Sequence, residues 1–275
     1  MADPKTPTEG PLAAEMPDVV HVEVGRVPPS AWDQADGMMA RLAGKAPRPV
    51  LFARVKIHVD AERDPDDQTI AQATMDVSGR IVRAQVGAPT PEEALNCLSD
   101  RMETRVRRSA EKRRDAGRLP PGTPEGTWRS GDLPTARPGF HPRPREDRRL
   151  VRRKTYAPQD RISIEEALFD LDVLDHRFFL FTAAADGEVS VVYEDEDGFK
   201  LRRESGGAPP DGIDPIPAEF DPTPAPELDL DEAIDRLDVG GATFIFFRNA
   251  ESGQGNVVYR RYDGHHGVVE PRTTG

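Results

Sequence analysis

Arg101, Arg105, Arg108 and Lys112 recur three or four positions apart, so on a helix they form one cationic row. Leu95, Leu98, Met102, Val106 and Ser109 follow the same period about a quarter-turn away, which gives that helix an apolar side beside a basic one. Guanidinium forks match phosphate oxygens, so the row has the form of a polyanion contact. The same charges also suit a solvated face whose cations lie favourably near a helix C-terminus. Arg107, Arg113 and Arg114 add charge near the helix end. Arg41 and Lys45 at the end of an earlier helix, Arg54 and Lys56 on a strand, and Arg80 and Arg83 extend the candidate phosphate-binding surface.

Little else in the chain is arranged for chemistry. No phosphate-binding glycine loop, HExxH, CxxC or nucleophile elbow occurs. The six histidines are scattered, and His265-His266 is expected to face solvent rather than to bind a metal. Tyr193-x-Asp195-x-Asp197-Gly198 with Glu204 has calcium-loop spacing, but Tyr stands at the first ligand position and strands flank it. The expectation is a protein that is not an enzyme, with no catalytic residue, no metal, no cofactor and no small-molecule substrate.

The elements that carry these residues fall into two unlike halves. Shifted by 66 positions, residues 162–198 lie on residues 228–264 without a gap. Glu166-Ala167 falls on Glu232-Ala233, Phe178 and Phe181 on Phe244 and Phe247, and Val191-Val192-Tyr193 on Val257-Val258-Tyr259. One small domain is therefore present twice. Each copy reads as a helix and then a hairpin. Ser163-x-x-Glu166 and Asp229-x-x-Glu232 are capping boxes, and two β-branched and aromatic runs follow across a turn. A unit of about 50 residues buries too little apolar surface to stand alone. The copies are expected to pair with each other through Phe178, Phe181, Val191, Tyr193, Phe244, Phe247, Val257 and Tyr259.

Ahead of the repeats, residues 19–24 read as a strand, 31–43 as a helix, 50–60, 69–77 and 80–86 as strands, and 91–115 as a long helix. The fold class is α+β: a β-α-β-β-β-α sheet with two helices on one face, followed by two tandem α/β-hairpin domains. The domains are expected at 19–116, 150–204 and 227–271. They are joined by a flexible basic linker at 117–149 and a Pro-rich one at 205–226, after a disordered tail at 1–18. Trp128 and Phe140, the only large aromatics of the first linker, read as incidental. Residues 150–156 are a candidate first strand for the first repeat, and the second repeat is either incomplete or borrows a strand.

The net charge of −12 hides an asymmetry. Residues 1–154 hold 27 Lys/Arg against 23 Asp/Glu, and residues 155–275 hold 10 against 26. An acidic repeat region thus follows a module that turns strongly basic towards its end, which points to a polyanion partner for one half only. Cys97 is the one cysteine, which excludes an internal disulfide framework and fits a reducing cytoplasm. No apolar run reaches membrane-spanning length, and the Pro-rich, acidic start lacks the pattern of a signal peptide. No membrane association is expected.

Taken together, the chain resembles a long-form ribosome hibernation-promoting factor. The resemblance rests on Ser163-Ile164-Glu165-Glu166-Ala167, Phe178-Phe179-Leu180-Phe181 and residues 187–193, and on their second copy at Phe244–Phe247, residues 248–253 and 256–261, and Asp263-Gly264. It implies an N-terminal domain that sits over the tRNA and mRNA sites in the small subunit's channel, bound to its rRNA, and that blocks translation by exclusion. Long-form members look to carry a single C-terminal domain through which two chains pair ribosomes, whereas this chain carries two. A monomer acting on single ribosomes under stress is the expectation. The doubled domains are similar to hypoxia-linked factors of actinobacteria. A dimerising factor, or an adaptor whose acidic repeats dock a basic protein, are the alternatives.

Overall fold

The computed structural model describes residues 17–46, 49–115, 138–195, 198–208 and 218–272. The first half is the expected β-α-β-β-β-α unit: β1 (Val19–Val24), α1 (Pro29–Lys45), β2 (Val50–Val59), β3 (Thr69–Val77), β4 (Arg80–Ala88) and α2 (Pro91–Asp115). The strands lie in the order β1-β2-β3-β4, with β1 parallel to β2 and the other pairs antiparallel. Alternation decides the two faces. Ala53, Val55 and Ile57 of β2, with Val82, Ala84 and Val86 of β4, point to the helices and are buried. Arg54, Lys56 and His58 take the other face. Ala35, Met38, Met39 and Leu42 of α1, and Leu95, Leu98, Met102 and Val106 of α2, close the core.

The second half contains two further sheets. The first repeat supplies β6 (Arg161–Ile162), α3 (Ile164–Val173), β7 (Phe178–Ala183), β8 (Val189–Asp195) and β9 (Gly198–Arg203). The second supplies β11 (Glu227–Leu228), α4 (Leu230–Gly240), β12 (Phe244–Asn249), β13 (Gly255–Arg260) and β14 (His266–Pro271). Ser163 and Asp229 cap α3 and α4 as their sequences require, each accepting from the backbone N–H three residues on. The hairpins carry a third strand, β9 or β14, that the sequence pattern does not separate.

The remaining strands change places. β5 (Leu150–Tyr156) precedes the first repeat yet pairs with β14 of the second, while β10 (Glu219–Asp221) precedes the second repeat and pairs with β9 of the first. The expectation that residues 150–156 open the first repeat's own sheet is therefore corrected. Each copy gives its leading strand to the other, and both sheets reach five strands. This exchange supplies the edge partner that each small sheet lacks.

Between the two sheets lies a shared core of Leu180 and Val191 from one copy and Phe246 and Val257 from the other. The Phe178 and Phe244 rings meet with centroids 4.9 Å apart, and Tyr259 and Tyr193 close over them at 5.4 Å. Gly255 is a glycine because a Cβ there would lie 2.6 Å from Val189 Cγ1 of the facing copy. Val189 is the repeat equivalent of Gly255, so one copy presents a knob where the other leaves a hole.

Candidate nucleic-acid interface

At the α2 row, too, the tertiary structure departs from the sequence reading. The turn after α3 lies across α2, and Val173 joins the N-terminal core at 1% exposure. Asp175 accepts from Arg101 Nη2 at 2.6 Å, from Arg105 Nη2 at 2.9 Å and from the Gln85 backbone N–H at 2.8 Å. Arg105 Nε donates to the Asp172 carbonyl at the α3 C-terminus, where carbonyls lack helical partners, at 2.9 Å. Arg108 grips both Asp172 carboxylate oxygens at 2.9 Å. In this fold, then, Arg101 and Arg105 are buried in an intramolecular ion network, a correction to their reading as an open phosphate-facing row.

The other expected cations divide by element. Arg107 is exposed and 3.9 Å from Glu111, one turn on. The backbone of Lys112, Arg113 and Arg114 belongs to α2, and their side chains lie outside the described residues. On α1, Arg41 is exposed and Lys45 pairs with Glu103 at 2.6 Å. Arg80 at the start of β4 also faces the first repeat, 3.6 Å from Asp170 and with its guanidinium 4.7 Å from the Phe169 ring centre. Only Arg54, Lys56 and Arg83 belong to the open face of the sheet. Lys56 Nζ donates to Tyr262 Oη at 3.0 Å, and Arg83 donates to the Gln72 and Gln85 side-chain oxygens at 3.1 and 3.0 Å. Burial pushes the Arg83 guanidinium below its ordinary value and the His58 imidazole below its own.

The second repeat covers one end of that open face through the turn that carries Tyr262. Arg63 ties the turn down, donating to the Tyr262 and Gly139 carbonyls at 2.8 Å each. The end of the supposed linker is held in place as well, so its reading as flexible is corrected for residues 138–149. The Gly139 N–H donates to Asp67, the His141 N–H donates to the Tyr262 carbonyl, and Arg148 pairs with Asp238 at 2.5 Å. Phe140 lies beneath the Arg177 and Arg260 guanidinium groups at 5.0 and 5.8 Å, a structural place where none was expected. Trp128 lies outside the described residues.

His266 is another correction. It is buried, with Nε2 2.9 Å from Asp238 Oδ1. Burial alone pushes the Asp238 carboxyl up, but hydrogen bonds from His266 and Arg148 outweigh it and hold the group below the usual carboxylate range. Asp195 of the calcium-like spacing is paired with Lys200 at 2.5 Å, and Asp197 is outside the described residues.

Of the residues expected to pair the repeats, Phe178, Val191, Tyr193, Phe244 and Val257 line the inter-sheet core, and Tyr259 packs on Phe178. Phe181 and Phe247 do not. They point the other way, under α3 and α4. Strand alternation is the reason, since Phe178 shares a face with Leu180 and Phe244 with Phe246. Leu180 and Phe246 were thus missed although parity marks them. Asp172 and Asp175 were missed too. Their one signal was a break in the repeat, because Asp175 stands where the second copy has Gly241.

The model of the sigma 54 modulation/S30EA ribosomal protein C terminus matches twice, over residues 145–199 and 221–268. Along 96% of its length the chain is 27% identical to the dormancy associated translation inhibitor of Mycobacterium tuberculosis, covering 92% of that protein. The chain thus carries two copies of that C-terminal domain and is similar to a translation inhibitor over nearly its whole length. The ribosome hibernation promotion factor of the same organism is 30% identical over 129 residues, which span 42% of this chain and 57% of that one. Among solved structures, the N-terminal domain of Thermus thermophilus Protein Y is matched over 98% of its length and 34% of this chain, at 20% identity and a TM-score of 0.29.

Proposed function

We propose that this chain is a ribosome hibernation factor that silences single ribosomes: the N-terminal domain occupies the tRNA and mRNA channel of the small subunit through its rRNA, and the repeats close on each other within one chain. The role in hibernation is supported by the near full-length likeness to a protein named as a dormancy associated translation inhibitor. That name also fits a stress response, hypoxia included, acting on ribosomes in the cytoplasm. Blocking the channel is exclusion and requires no catalysis.

The observation that carries the single-ribosome reading is the heterotypic core between the repeats. Val189 fills the space that Gly255 leaves. Two first repeats facing each other would set Val189 against Val189, and two second repeats would leave a void. The interface thus favours unlike copies, and two copies on one chain meet at high effective concentration.

The rRNA contacts are proposed for the cations of the N-terminal half, and the fold sorts them into two sets. Arg54, Lys56, Arg83, Arg41 and Arg107 are available or face the inter-domain cleft. Arg101, Arg105 and Arg108 can meet phosphate only if Asp172 and Asp175 are displaced. Density-gradient sedimentation with purified ribosomes tests the proposal. The chain is expected to travel with single ribosomes at low ionic strength and to leave them steeply as salt rises. A paired-ribosome peak would favour the dimerising alternative, and failure to co-sediment at low salt would favour the adaptor.

A further inference from the structure

Across most contacts between the two halves, cation meets carboxylate. Arg101 and Arg105 meet Asp175, Arg108 meets Asp172, and Arg80 meets Asp170. One cleft breaks the pattern. It lies where the open face of the N-terminal sheet approaches β5 and the β13–β14 turn. From the sheet come Arg54, Lys56 and Arg83, and from the second half come Arg152, Lys154 and Arg261.

Among the described residues, Arg54, Lys56, Arg83, Arg152 and Lys154 make no salt bridge. Arg83 has only amide oxygens and Lys56 only a phenol. Arg261 alone holds a carboxylate, Asp263 at 2.8 Å. The field of Arg83, Arg152 and Arg261 falls on the partly buried Lys154 ammonium, and burial together with that field brings it down to about 8. Like charges held this close in a semi-enclosed space are costly unless an anion comes between them.

Aromatic rings interleave the cations. Tyr262 has Lys56 Nζ and the Arg261 guanidinium each 5.8 Å from its ring centre, and His58 meets its edge at 6.1 Å. Tyr259 lies against Gly267, the β14 partner of Arg152. The cations come from three strands and a turn rather than converging on one point, and rings lie between them. A track of this kind suits successive phosphates with bases beside them better than a single small anion.

We infer that the two halves of the chain jointly build a phosphate-binding cleft, and that its ligand is the phosphodiester backbone of single-stranded RNA. The inference rests on the reading that the N-terminal half binds rRNA, and it adds to that reading a contribution from a region whose overall charge is acidic. Arg152 and Lys154 sit on the strand that has crossed to the other repeat, so the cleft is complete only when the strand exchange is.

The test uses the full chain and the fluorescence anisotropy of a short, mixed-sequence RNA oligonucleotide. Arg152→Ala/Lys154→Ala is expected to weaken binding about tenfold and to lower the salt slope by about 1.4, roughly 0.7 for each single-strand phosphate that is no longer neutralised. Arg153→Ala is the control, because Arg153 pairs with Glu270 on the opposite face of β5, and it should leave affinity unchanged. Lys154→Gln, which removes the charge but keeps most of the aliphatic stem and a polar end, guards against loss of the fold and should reproduce the Lys154 share of the effect. With Lys154 reductively methylated and followed by NMR, RNA is expected to raise its titration midpoint. Equal RNA affinity in all variants overturns the cleft, as does binding of tripolyphosphate without binding of RNA. Sedimentation with ribosomes separates the two ideas: a wild-type chain that pellets while its variants keep full RNA affinity leaves the hibernation reading standing and sinks the cleft, and a chain that loses RNA with these variants but never pellets does the reverse.

Discussion

Asp175 holds a backbone conformation that its side chain alone would not favour. Its φ of 52° lies in the left-handed region, and the equivalent position in the second copy is Gly241 at 69°. A non-glycine residue costs free energy there, though Asp tolerates it better than most. The carboxylate offsets that cost by joining Arg101, Arg105 and the Gln85 N–H, three contacts that a glycine would forgo. Lys154 shows the opposite case, a charge the fold disfavours. Its ammonium titrates near 8 when folded and near its ordinary 10.5 when unfolded. Between those values the unfolded chain holds more protons, so stability must rise with pH across that window, and below it the whole penalty applies. Urea unfolding between about pH 8 and 10 should show this rise in the wild type. Lys154→Met should flatten it, whereas an unchanged slope in the variant would assign the rise to other groups.

At the scale of elements, duplication offers an internal control. The tips of α3 and α4 derive from one ancestral sequence, Leu171-Asp172-Val173 and Leu237-Asp238-Val239, yet Val173 is buried in the N-terminal core and Val239 is 79% exposed. Only the first copy kept a docking tip. Its aspartates face α2, while Asp238 turns to His266 and Arg148. Val173→Asp should therefore cost several kcal/mol, roughly 3 or more, through an unpaired buried charge. Val239→Asp should change stability by less than about 0.5 kcal/mol. Denaturant unfolding measures both, and limited proteolysis near the undocked tip should accelerate in the first variant alone.

For the whole molecule, the reciprocal strand exchange and the knob at Val189 make the paired repeats one unit. The chain is proposed to be a monomer on that ground. Gly255→Val should drive two branched side chains together and loosen the pairing by about 1–3 kcal/mol, as overpacking does. Adding Val189→Gly moves the knob to the other copy and should restore most of the loss. Thermal melts read the stability, and analytical ultracentrifugation reads whether the loosened repeats pair between chains instead. If the double variant were no better than the single one, the size complementarity of these two positions would not be what selects the pairing.

Sequence alone determined the elements and the duplication, because both are written in short-range periods. Strand alternation in β2 and β4, the 3–4 spacing in α1 and α2, and the caps at Ser163 and Asp229 each depend on residues a few positions apart. The same parity marks Leu180 and Phe246, one step beyond the aromatic residues that stand out by type. Long-range partners were decided by the tertiary structure. Nothing within a turn or two of Arg101 says that its charge will be met 74 positions later by Asp175, and nothing in residues 150–156 says which repeat they will complete. A charged helix face looks the same in sequence whether water, phosphate or a carboxylate covers it. Local pattern states only that the charges share a side, and the fold supplies what lies against them.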